Sequence, residues 1–253
     1  MGKTVKRHRL ENVFTDSITE PTWENPFVKD ISMIPLLTNY KNLDLEFRKI
    51  FYNFNISQQQ TRAFSSLMIT SAQPGEGKTI TSIIFALGLS RELPHKCLLV
   101  DANWMTPQIH QWFGLKRETS LQDFWKKPVD GICSCGFDNL DILPAPIGVE
   151  VDSTDEFVKS ETLKEVFDKL TAKYKTVIFD TSSINQNVSA YGNELGTRNF
   201  DSLLLSDFAD TCVLVIMARK TNKQDVKRAK FALERGHHNI MAILNNYENL
   251  FYT

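Results

Sequence analysis

Cysteine is scarce in this chain, and what there is has no crosslinking pattern. Cys97, Cys133, Cys135 and Cys212 are the only four. Cys133-Ser-Cys135 lacks the second pair that a zinc site requires, so reduced thiols in a cytosolic setting are expected. Long apolar runs are also missing. No stretch approaches the roughly 20 residues of a membrane span, and the opening residues lack the apolar core of a secretory signal. Neither sign of charge dominates: 29 basic residues face 30 acidic ones, for a net charge of −1. That balance gives no whole-chain case for nucleic acid or a lipid surface. Internal repeats and low-complexity tracts are absent too. What remains is an ordinary globular composition, 42% hydrophobic and 23% charged over 253 residues, enough for one α/β domain with an extension.

The chain is organised around residues 67 to 89, LMITSAQPGEGKTITSIIFALGL. A short apolar run, Leu67 to Ile69, leads into a turn of small residues, and Gly77-Lys78-Thr79 opens a long helical pattern. Strand, glycine loop and helix are the context of a phosphate-binding loop. Gly75 and Gly77 let successive N–H groups point at an anion, and the helix contributes its positive N-terminal end. Lys78 supplies a point charge for β/γ phosphates, and the Thr79 hydroxyl can hold the accompanying magnesium. The strict pattern would have glycine at position 72, where Ala72 stands. Pro74, Gly75, Glu76, Gly77, Lys78, Thr79 and Ile80 are the expected nucleotide contacts.

Two further strands end in carboxylates. Residues 96–100, KCLLV, lead to Asp101, and residues 175–180, KTVIFD, end at Asp180. Carboxylates at the C-terminal ends of parallel strands face the ligand crevice of an open α/β sheet. Asp101 and Asp180, with Thr79, are therefore the expected magnesium-side residues, and Lys78, Asp101 and Asp180 the expected catalytic set. Short strands are expected at Asp141 and over residues 211–217 and 239–244. Helices are expected over 121–125, 156–173 (capped by Ser153 or Asp155) and 223–235. Residues 185–206 read as a flexible insertion leading into a helix. The basic residues of 223–235 fit a solvated face better than a nucleic-acid patch. Strands alternating with helices imply a mostly parallel sheet with helices on both faces, the P-loop NTPase architecture. Residues 1–42 read as a basic, proline-interrupted arm, 43–247 as the ATPase-like domain with a first amphipathic helix over 43–54, and 248–253 as a short tail.

Ser71 to Thr79, SAQPGEGKT, closely resembles the phosphate loop of the bacterial tyrosine kinases (BY-kinases), whose fold is related to the MinD and ParA ATPases. The resemblance continues through LLVDANWMTPQIHQWFGL, Leu143-Pro144-Ala145, EFVKSETLKEVFDKL, VIFDT and AILNN, in order, over about residues 43 to 247. It implies a cytoplasmic domain that binds ATP with magnesium and autophosphorylates on tyrosines of its C-terminal tail, here Tyr247 and Tyr252. Neighbouring subunits of a homo-oligomer would reach into each other's sites. The implied partner is a membrane polysaccharide co-polymerase of exopolysaccharide or capsule export, which would bring the chain to the inner face of the membrane.

The chain departs from the family pattern at defined positions. Where the second motif has two aspartates one residue apart and then arginine, this sequence has Asp101, Asn103 and Met105. The third motif's proline is replaced in Asp180-Thr181-Ser182-Ser183. The oligomerisation helix is echoed only in Glu46, Phe47 and Arg48, with Phe51 where a second arginine is expected. Asn103 matters most. An amide cannot accept the tyrosine proton, and a missing positioned base costs about 10²–10⁴ in rate. Two functions therefore stand side by side: a tyrosine kinase or slow ATPase, and a non-catalytic ATP-binding regulator. A ParA- or MinD-like positioning ATPase is disfavoured by Gln73, which occupies the place of that branch's signature lysine.

Overall fold

The structure, a computed structural model, describes residues 66–104, 106–148, 160–185, 200–236 and 239–245. The expected arm, the helix over 43–54, Met105, the caps Ser153 and Asp155, and Tyr247 and Tyr252 lie outside the described residues. Among the described residues seven strands form one sheet: β1 (Ser66–Ser71), β2 (Cys97–Ala102), β3 (Cys133–Ser134), β4 (Leu140–Leu143), β5 (Thr176–Thr181), β6 (Thr211–Met217) and β7 (Asn239–Asn245). Their order is β3-β4-β2-β5-β1-β6-β7. All neighbours are parallel except β3 and β4. β3 was not expected: two residues, Cys133 and Ser134, carry no periodic signal.

The apolar strands bury both faces, as a parallel sheet must. Alternate residues point to opposite sides. Met68, Leu98, Val100, Val177, Phe179 and Leu214 belong to one core, while Leu67, Ile69, Leu99, Ile178, Val213 and Val215 belong to the other. The second core is covered by α1 (Lys78–Glu92) and α2 (Ile109–Trp112), through Ile83, Ala86, Leu89 and Ile109. The first is covered by α3 (Leu121–Lys126), α4 (Ser160–Lys173), α5 (Phe200–Ser206) and α6 (Lys223–Glu234), through Phe124, Leu163, Phe167, Leu170, Leu205 and Leu233. This is the expected α/β P-loop architecture. Helix α5 falls at the end of the segment expected to lead into a helix. α6 is capped by Asn222, whose side chain accepts from the Asp225 amide at 2.8 Å.

The four cysteines are free, three of them buried. Burial pushes the thiols of Cys97, Cys135 and Cys212 up to about 12, so they stay protonated and serve as small core residues. Among the described residues no helix is long and apolar enough to cross a membrane.

β1 lies at the centre, with β5 and β2 on one side and β6 on the other. The carboxyl ends of these four strands open on one crevice. It is there that the sequence places its phosphate loop and its aspartates.

Candidate nucleotide site

The loop from Ala72 to Gly77 joins the buried strand β1 to the buried helix α1, and two of its residues need a left-handed backbone. Gly75 has φ 76° and Gly77 φ 90°, conformations that L side chains rarely adopt. At Gly77 a β-carbon would also collide with the Asn245 side-chain amide. Gly77 is the N-cap of α1, no side chain caps this end, and its first turn holds no acidic residue. The first amides of α1 are thus left without a side-chain cap, as anion binding requires. They border a cavity of about 410 Å³ lined by Pro74, Gly75, Gly77, Lys78, Thr79 and Ile80 from the loop and helix. Asn103, Thr106 and Gln108 contribute from the loop after β2, Trp112 from α2 and Met217 from the end of β6. Ala72, at the position where the usual pattern has glycine, is fully buried in the sheet's first core; its methyl group is accommodated there.

Strand register brings the two aspartates side by side, Asp101 opposite Asp180 on adjacent parallel strands. Both are fully buried. Asp180 Oδ1 accepts from Ser82 Oγ at 2.9 Å, whereas its buried Oδ2 has no hydrogen-bond partner among the described residues. Burial pushes the Asp180 carboxyl up to about 6, against hydrogen bonds from Thr79 and Ser82 and the Lys78 charge, which pull the other way. Asp101 is pushed up to about 7, by burial first and by the neighbouring Asp180 second. Burial likewise lowers the Lys78 ammonium, opposed by Asp180 and Glu76. Two desolvated carboxylates, one with an orphaned oxygen, beside a threonine hydroxyl make an oxygen donor set that suits a hard divalent cation. The residues present thus fit magnesium, with Asp180 and Thr79 as the direct candidates.

Asp101 has a second occupation. Its Oδ2 accepts from the amides of Gln108 and Ile109 at 3.1 and 3.0 Å, and its Oδ1 from the Asn103 amide at 3.3 Å. It thereby caps α2 from a distance and fixes the course of the loop that faces the phosphate loop. Asn103 is knitted into the same loop. Its Nδ2 donates to the Thr106 carbonyl at 3.1 Å, and its Oδ1 accepts from Thr106 Oγ1 at 3.1 Å. Only an amide can make this reciprocal pair, because a carboxylate has nothing to donate.

The Glu76 side chain is engaged within the protein. It is buried and does not line the cavity. One carboxylate oxygen accepts from the Gln73 amide at 3.0 Å, the other from the Thr221 hydroxyl. The Glu76 carbonyl accepts from Asn245 Nδ2 at 3.0 Å. Thr221 in turn accepts from the Met217 amide at 3.0 Å. Glu76 thus clasps the phosphate loop to the ends of β6 and β7. Sequence reasoning missed Ser82, Thr221 and Asn245. Ser82, one helical turn after Lys78, was the one with a usable signal; the other two are brought in only by strand order.

No family model matches the chain. Comparison with individual proteins is decisive. Tyrosine-protein kinase YwqD of Bacillus subtilis is 30% identical over 218 residues, 85% of each chain. Tyrosine-protein kinase CpsD of Streptococcus pneumoniae is 25% identical over 187 residues, 72% of this chain and 74% of its own. The crystal structure of the chimerical protein CapA2B2 superposes with a TM-score of 0.65 at 27% identity, over 79% of this chain and 82% of that one. With the phosphate loop, the paired aspartates and the sheet order all in place, the chain belongs to the bacterial tyrosine-protein kinases.

Proposed function

We propose that this chain binds ATP with magnesium and acts as a tyrosine-kinase-like component of exopolysaccharide or capsule biosynthesis and export. The observation that carries the nucleotide reading is the grouping at the head of α1: an uncapped helix N-terminus and Lys78 beside the orphaned carboxylate oxygen of Asp180. In this reading Gly75, Gly77 and Lys78 hold the phosphates, while Thr79 and Asp180 hold magnesium, with Asp101 behind them. The bound cation supplies charge neutralisation for phosphoryl transfer. Lys78 orients the terminal phosphates, and closure of the loop by Glu76 keeps the amides aimed before the nucleotide arrives.

A second reading, a non-catalytic ATP-dependent regulator, is favoured by Asn103. The side chain standing where the family pattern has its second aspartate is committed to Thr106 through both polar atoms. It cannot accept the proton of an attacking tyrosine. The domain boundaries (an arm over 1–42, a kinase-like domain over 43–247, a tail over 248–253), homo-oligomer formation and a polysaccharide co-polymerase partner at the inner face of the membrane complete the proposal. That the related CapA2B2 structure is of a chimera supports a second protein segment as companion of this fold.

The test is incubation of the purified chain with labelled ATP and magnesium, with and without the partner's cytoplasmic segment. Lys78→Ala should abolish nucleotide binding measured by calorimetry. Label appearing in wild type and lost in the Tyr247→Phe, Tyr252→Phe variant supports the kinase. Tight nucleotide binding with no label, even with partner, supports the regulator. Wild-type affinity in Lys78→Ala refutes the site itself.

A further inference from the structure

Among the described residues, one cation besides Lys78 reaches the phosphate loop, from an element that no nucleotide motif covers. The turn after β6 runs Ala218-Arg219-Lys220-Thr221 before the cap of α6. A β-carbon built on Gly75 would lie 3.8 Å from Lys220 Nζ, so the ammonium stands at van der Waals range from the outer edge of the loop. Gly75 and Met217, the residue at the start of this turn, both line the cavity. Among the described residues no ion pair engages Lys220.

The position is built rather than incidental. Arg219 has φ 66° and is the only non-glycine residue with positive φ among those described. Such a backbone is disfavoured for a side chain of this size by about 1–2 kcal/mol, and it is over-determined here. The Lys220 amide donates to the Met217 carbonyl at 3.2 Å, and that of Thr221 to the same carbonyl at 3.0 Å. The Thr221 hydroxyl reaches Glu76 inside the phosphate loop, and the Ala218 amide donates to the Asn245 carbonyl at 2.7 Å. The turn therefore cannot drift from the loop without breaking the Glu76 clasp. Lys220 is exposed, as is Lys227 on α6, and what sets it apart is the fixed backbone turn that carries it to the edge of the loop.

We infer that Lys220 is a second phosphate-binding cation of the nucleotide site, contacting the polyphosphate of a nucleoside di- or triphosphate from the side opposite the Asp101 loop. It supplies charge where Gln73, inside the loop, supplies none. The inference rests on the nucleotide reading above and adds a residue to it. The compact, mobile ammonium suits this task, because it neutralises a polyphosphate as a point charge without demanding bidentate geometry.

The experiment measures Kd by calorimetry for magnesium ADP, magnesium ATP and inorganic pyrophosphate. It compares wild type, Lys220→Met, Lys220→Arg and Lys227→Met, with Lys78→Ala as the reference for loss of the whole site. Lys220→Met should weaken all three ligands by roughly 5–50-fold, the range of a charge-assisted hydrogen bond at an accessible site. It should also reduce the salt dependence of binding. Lys220→Arg should recover most of the affinity, and Lys227→Met should match wild type. Wild-type affinity for pyrophosphate in Lys220→Met overturns the inference while leaving the nucleotide site intact. Weakened nucleotide binding with unchanged pyrophosphate binding also overturns it, because Lys220 would then serve the base or ribose. A wild type that binds none of the three, or a Lys78→Ala variant that binds them normally, overturns the nucleotide reading and this inference with it.

Discussion

Replacing Asp180 by asparagine should make the ligand-free protein more stable, not less. In the fold, burial lifts this carboxyl to about 6 from an ordinary 3.8. A folded-state acid that holds its proton more tightly than the unfolded chain destabilises the fold once pH is high enough to ionise it. The penalty is absent below about pH 4, grows through the window up to pH 6 and is constant above, reaching on the order of 3 kcal/mol. Asp101, lifted to about 7 partly by the charge of Asp180, extends the same window upward. Asparagine removes the Asp180 charge while its carbonyl oxygen still accepts from Ser82, and the Thr79 hydroxyl can turn to accept from the new amide. Part of the gain is lost because Lys78 forfeits an attractive neighbour. The net expectation at pH 8 is a gain of about 1–2 kcal/mol, or roughly 2–8 °C in Tm for a body of this size, shrinking toward zero near pH 4. Denaturant titrations at several pH values between 4 and 8, with and without magnesium ADP, read the effect. Ligand should stabilise wild type strongly and the variant little. An Asp180→Asn protein that is no more stable than wild type at pH 8, or that keeps the wild-type pH slope, would refute the argument that burial of this carboxylate outweighs its hydrogen bonds and the Lys78 charge.

Asn103→Asp removes the donor to the Thr106 carbonyl and sets a buried carboxylate against that oxygen, so the ligand-free protein should lose about 1–2 kcal/mol in denaturant titration. If an added base is what phosphoryl transfer lacks, the same variant should raise phosphotyrosine yield with labelled ATP. Equal stability would show that the Asn103–Thr106 pair is not formed in solution. Gly77→Ala should abolish magnesium ADP binding by calorimetry, because its β-carbon meets the Asn245 amide and its backbone is left-handed at φ 90°. Unimpaired binding would mean that the loop can adopt another course.

How legible the molecule was depended on whether a feature was local. The apolar strands ending at Asp101 and Asp180, and the glycines before Lys78, each carry their signal within a few residues, and all lie where that signal placed them. β6 matches its expected span residue for residue, since five consecutive buried positions and two half-buried ones leave little choice of boundary. β3 escaped because it is an antiparallel edge of two residues whose partner lies beyond a turn. The role of Glu76 escaped for a different reason. Within the loop it reads as a polar contact for nucleotide, and only the side-by-side placement of β1, β6 and β7 shows that its carboxylate faces inward. Asn103 was recognised as a missing base, but its reciprocal bonds to Thr106 depend on the loop's path, which no periodicity encodes.

The clasp around Glu76 also has a meaning in time. Its partners lie far downstream, Thr221 by 145 residues and Asn245 by 169. During synthesis at about 5–20 residues per second, the last strand leaves the ribosome on the order of ten seconds or more after the phosphate loop. Until then the loop lacks the two anchors that hold its amides in place. Contacts of such long sequence separation are also the slowest to close. On the proposed reading, nucleotide would therefore reward only a chain that has reached β7. A nucleotide bound as proposed would act as a late seal on chains that already carry β7, and would give no shelter to a nascent one.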